Sequence, residues 1–113
     1  MYSIEGTIKD RREMLRVKIK SLAEEARIIR REEHRTHGPL RDELHNHRVL
    51  DVRRESRAAH VAYGFIRGRT LEQMEPKRRD NPYELKILNS RVRDLCKKFG
   101  PYGFQPPLPE EKK

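Results

Sequence analysis

The chain has 113 residues, 34% hydrophobic and 40% charged, a mean hydropathy of −1.07, and a formal net charge of +9 from 27 Lys and Arg against 18 Asp and Glu. That length leaves room for one domain, and the scarcity of apolar residues excludes a stacked-sheet core and any run of the ~20 apolar residues that a membrane span needs. The N-terminal MYSIEGTIKDRR lacks an apolar signal core and the lone Cys96 cannot form an internal disulfide, so a soluble, intracellular chain is expected.

The first predicted element is a long helix over about residues 8–35. Ile8, Leu15, Leu22 and Ile29 recur every seven residues, and Ile19 and Ala26 fill the seam between them. So narrow a stripe suits an antiparallel hairpin within the chain or a homodimer through this helix. Segments such as RIIRREE at Arg27–Glu33 read as a solvated face stitched by ion pairs one turn apart. Gly38 and Pro39 mark a short turn into a second helix over 39–48, antiparallel to the first. Val49, Leu50, Asp51 and Val52 break the period, and a kink or connector is expected before the next helix, 54–67.

That helix carries the densest apolar run, Ala58, Ala59, Val61, Ala62, Phe65 and Ile66, and Gly68 stops it. Thr70 stands three residues before Gln73, the spacing of a reciprocal cap, so a short helix over 70–75 is expected, ended by Pro76. After the basic connector KRRD, Asn81, Pro82 and Glu84 carry the signals of a helix start, and Gly100 and Pro101 close a helix over 82–99. Leu85, Leu88, Val92, Leu95 and Phe99 form its apolar face, and Lys86, Arg93 and Lys97 fall on the opposite side with Asn89 and Ser90 beside them. The proline-rich 101–113 reads as an extended or disordered tail, on which Tyr102 and Phe104 have the apolar surface to dock on the core. The fold class is therefore all-α: an N-terminal helical hairpin, a helix-turn-helix-like trihelical half, and a tail.

No nucleophile elbow, phosphate-cradling glycine loop or HExxH helix is present, so neither an enzyme nor a bound cofactor is expected. His34, His37, His45 and His47 gather near the first turn, but their spacing is poor for a metal and no cysteine pair completes a tetrahedron. Adjacent HNH letters at His45–His47 carry no weight, because the nuclease motif of that name spreads its residues over several elements. His60 reads as a packed or partly exposed side chain, and Cys96 as a small buried hydrophobe.

The remaining signal is positive charge. Arg67, Arg69, Lys77, Arg78 and Arg79 surround the short helix, where they suit phosphate contacts. Lys86, Asn89, Ser90, Arg93 and Lys97 lie where a recognition helix would present side chains to base edges. The intervening PKRRDNP is longer than the usual tight turn of that motif. A nucleic-acid-binding protein, for DNA or RNA and mainly through phosphates, is the leading expectation. An adaptor or inhibitor docking on an acidic surface of a host complex is the alternative, and a membrane partner is not expected.

The strings HVAYGFIRGRTLEQME and KIKSLAEEARIIRREE resemble small accessory proteins of tailed bacteriophages and prophages. The resemblance implies a bacterial cytoplasm and a regulatory or host-directed role, and it brings no functional residues with it.

Overall fold

In the computed structural model of the chain, residues 4–33 and 39–109 are described, with side chains described for 10–31 and 47–109. The described residues form four helices and no strand: α1 (Ile4–Glu33), α2 (Pro39–Ile66), α3 (Leu71–Met74) and α4 (Pro82–Phe99). The protein is all-α, and none of these helices is long and apolar enough to cross a membrane.

α1 lies along α2. Its heptad residues Leu15, Leu22 and Ile29 are buried, with Ile19 packed beside them. Each such side chain contributes about 2 kcal/mol on burial. The exposed pairs Arg16–Glu13 and Arg27–Glu24 on the outer surface, each three residues apart, are worth only ~0.3 kcal/mol. Apolar burial therefore holds α1 in place, and the seven-residue seam is consumed within the chain.

The expected break over 48–54 is absent: α2 runs unbroken from Pro39 to Ile66. Residues that look like breakers in sequence are tertiary anchors. Val52 is buried, Arg54 reaches Glu84, and Asp51 and Glu55 both accept from Arg91 on α4. A β-branched residue costs a helix at most ~0.7 kcal/mol, less than such contacts return. Small residues carry the packing further along, because Ala58, Ala59 and Ala62 have no exposed surface and let α1 and α4 approach the α2 backbone closely.

Gly68, at φ +82°, ends α2. The Arg69 N–H donates to the Gly64 carbonyl at 2.8 Å and the Gly68 N–H to that of Phe65 at 3.0 Å, the paired bonds of a Schellman stop. The chain then doubles back into α3, whose reciprocal Thr70–Gln73 cap forms as expected. α3 rests on α2 at Gly64, where an added Cβ would lie 2.0 Å from the Met74 sulfur. Gly64 thus lets the Met74 side chain lie directly against the α2 backbone, and a larger residue there would make the flexible end of Met74 shift.

α4 begins at the Asn81 cap, whose side chain accepts from the Glu84 N–H at 2.8 Å. Leu88, Val92, Leu95, Cys96 and Phe99 are buried against the other helices. Burial pushes the Cys96 thiol up to about 11, which leaves it an inert apolar filler. Over the described residues 101–109 the tail is attached rather than free. Phe104 and Leu108 pack on the core, and Asn89 Nδ2 donates to the Pro109 carbonyl at 2.9 Å, whereas Tyr102 stays exposed.

Candidate functional site

Six arginines face one open groove, and their partners divide them. Three are engaged internally. Arg57, on α2, donates to Glu75 from Nη2 at 2.8 Å and to Asp80 from Nη1 and Nη2 at 3.0 and 2.8 Å. Arg78 adds Nε to Asp80 Oδ1 at 3.3 Å and lies 3.7 Å from Glu75, so its charge is shared with the same two carboxylates. Arg54 grips Glu84 through Nη2 at 2.6 Å and Nε at 3.3 Å. These forks fix the 75–81 connector and the start of α4 onto α2.

The electrostatics follow from those bonds. Burial disfavours the Arg57 cation, but hydrogen bonds to Glu75 and Asp80 outweigh it and raise its pKa. The same bonds from Arg57 hold the Asp80 carboxyl below its usual 3.8, and those from Arg54 hold Glu84 below its usual 4.5. Between the depressed native values and the ordinary carboxylate range the unfolded chain binds more protons, so stability rises with pH through that window. Denaturation measured at several pH values is expected to give constant stability from pH 7 to about 5 and a decline below about pH 4. A loss already complete at pH 5 would implicate histidine protonation instead of these carboxylates.

The other three arginines, Arg30 of α1, Arg53 of α2 and Arg69 after the turn, are exposed, and no carboxylate of the described residues lies within ion-pair distance of them. They line the same groove of about 1280 Å³ with His60, Tyr63 and Met74. Beside it the Arg67 guanidinium stacks over the Tyr63 ring at 5.7 Å and Nη1 donates to the phenol at 3.4 Å. A concave surface with unneutralised guanidiniums from three elements attracts anions and can hold more than one phosphate or carboxylate at once.

The residues expected from sequence to bind nucleic acid divide among separate places. Arg69 and Arg78 line the groove, with Arg78 spent on its own connector, and Arg67 borders it through Tyr63. Lys77 and Arg79 are exposed and do not line the groove. Lys86, Ser90, Arg93 and Lys97 are exposed on the outer side of α4 and do not line the groove. Asn89 is a correction: it is 4% exposed and bound to the tail, so it is not available to a base edge. Its Oδ1 is buried and has no hydrogen-bond partner among the described residues. α3 touches α2 and not α4, so no helix-turn-helix contact between α3 and α4 supports the expected recognition role.

Arg30, Arg53 and Tyr63 were not singled out by the sequence. Arg53, Ser56, His60, Tyr63 and Arg67 recur at three- and four-residue steps on the outer side of α2, but the expected connector over 48–54 cut Arg53 from that stripe. Among the described residues no group of three or more His, Cys, Asp or Glu side chains is placed to hold a metal. His34, His37 and the side chain of His45 lie outside the described residues, and His47 is exposed. Comparison with protein-family models, curated proteins and solved structures finds no match for this chain.

Proposed function

We propose that this is a non-catalytic, basic nucleic-acid-binding protein that holds DNA or RNA mainly by its phosphates, with the arginine groove as the principal contact. The observation that carries the reading is the sorting of the groove arginines. Arg54, Arg57 and Arg78 are neutralised and shape it, whereas Arg30, Arg53 and Arg69 have no ion-pair partner among the described residues. Exposed, unpaired guanidiniums gain little for folding, and their fork matches phosphate. Lys77 and Arg79 on the connector and Lys86, Arg93 and Lys97 on α4 extend the positive field. In this reading α1 and α2 form a hairpin, and α2, the Gly68 turn, α3 and α4 a helix-turn-helix-like corner that positions phosphates rather than reads bases. The resemblance to accessory proteins of tailed bacteriophages sets this role in a bacterial cytoplasm.

The test is binding of the purified protein to duplex DNA, single-stranded DNA and structured RNA across a salt series. The expected result is a linear fall of log affinity against log salt, with a slope of at least about −3, the value for three or more phosphates neutralised. A shallow slope, or affinity that vanishes at physiological salt for all three polymers, would sink the reading and point to an acidic protein surface as the target.

A further inference from the structure

α1 has a second apolar face that nothing among the described residues covers. Met14, Val17 and Ile28 are 57%, 57% and 43% exposed, and with Ser21 they follow one another at steps of three, four and seven along one side of the helix. Between Met14 and Val17 on α1 and Phe99 at the end of α4 runs a shallow groove of about 680 Å³, also lined by Leu22, Asp10 and Glu13. Large aliphatic side chains aligned on one helix face, beside a groove with an aromatic wall, mark an interaction surface rather than scattered exposure.

We infer that this face pairs antiparallel with the same face of a second copy, forming a two-fold symmetric dimer. The charges flanking the apolar residues identify the occupant. Asp10 and Glu13 lie at the N-terminal end of the face, Arg27 and Arg31 at its C-terminal end, with Lys20 and Glu24 at the middle. Antiparallel pairing centred near Ser21 sets Glu13 against the other copy's basic end and Lys20 near its Glu24, and it brings Met14 and Val17 to Ile28. Parallel pairing instead sets each charge against its like. The competing contacts Glu13–Arg16 and Glu24–Arg27 are exposed pairs three residues apart, which give way at little cost. The dimer leaves the arginine groove open, because Arg30 projects roughly 160° around the helix from Ile28. Two such grooves would then sit on one particle.

Sedimentation of the full chain, freed of nucleic acid, tests this independently of any nucleic-acid binding. A concentration-dependent dimer is expected, and Met14→Glu with Val17→Glu should raise its Kd about a hundredfold while helix content by circular dichroism is unchanged. Glu13→Arg and Arg31→Glu should each weaken the dimer, and the double reversal should restore it. Under mild oxidation Ser21→Cys should cross-link two copies near the symmetry axis and Asp10→Cys should not, with the buried Cys96 silent. A monomer at all accessible concentrations, or cross-linking of Asp10→Cys as efficient as that of Ser21→Cys, would overturn the proposal.

Discussion

Changing Arg30, Arg53 and Arg69 together to alanine is expected to lower nucleic-acid affinity about a hundredfold at physiological salt, from roughly 1 kcal/mol lost per charged contact. The salt slope should become shallower by about 2 to 3 in the same variant, because three fewer counterions are released. All three side chains are exposed and without ion-pair partners among the described residues, so thermal stability should stay within ~0.5 kcal/mol per site. The companion variant, Lys86, Arg93 and Lys97 changed to alanine, removes the same charge from the outer side of α4 and is expected to cost less than about tenfold. Equal losses in the two variants would mean a diffuse positive field without a groove. A larger loss from the α4 variant would move the interface to that helix.

Arg57→Ala is expected to be the most damaging of the single arginine substitutions, at about 3 kcal/mol. The Arg57 side chain is 12% exposed, and it bridges Glu75 at 21% and Asp80 at 12%. Removing the guanidinium leaves two largely buried carboxylates with Arg78 as their remaining ion-pair partner among the described residues, and its side chain is 52% exposed and better solvated. Breaking a buried pair from one side costs about 3–5 kcal/mol, and the residual Arg78 contacts place this case at the lower end. Urea denaturation should show the loss directly, and Tm should fall by roughly 10–20 °C for a chain of this size. Arg57→Lys should recover only part of it, since the three donors of a single ammonium nitrogen cannot reproduce the paired bonds that the guanidinium makes to both carboxylates. In Arg57→Ala the decline in stability below about pH 4 should also shrink, because Asp80 loses its main lowering partner and keeps only the smaller effect of Arg78. Full stability in Arg57→Ala would mean that α3 and the connector are held by apolar contacts such as Met74 against Gly64 alone.

The tail shows where sequence reading stopped short. Proline and glycine do keep residues 101–109 out of a helix, but Phe104 and Leu108 find apolar partners and Asn89 supplies a hydrogen bond to the Pro109 carbonyl. An asparagine beside the polar stripe of α4 gives no local sign that a segment twenty residues away will cover it. Arginine is likewise ambiguous by type. Arg54, Arg57 and Arg91 knit α2 to the elements after it, and Arg30, Arg53 and Arg69 remain outside, though all six occur in similarly charged stretches.

What the sequence determined by itself was local. The seven-residue seam of α1, the apolar face of α4, the Thr70–Gln73 and Asn81 caps and the Gly68 stop all depend on neighbours within a turn or two, and each is read from spacing. Tertiary structure alone decided the continuity of α2 through 48–54, the burial of Asn89, and which arginines are neutralised. These depend on pairings between residues 18 to 40 apart along the chain, such as Arg57 with Glu75 and Arg91 with Asp51. A helix propensity is worth tenths of a kcal/mol per residue, and a buried side chain or a largely buried bidentate ion pair outweighs it.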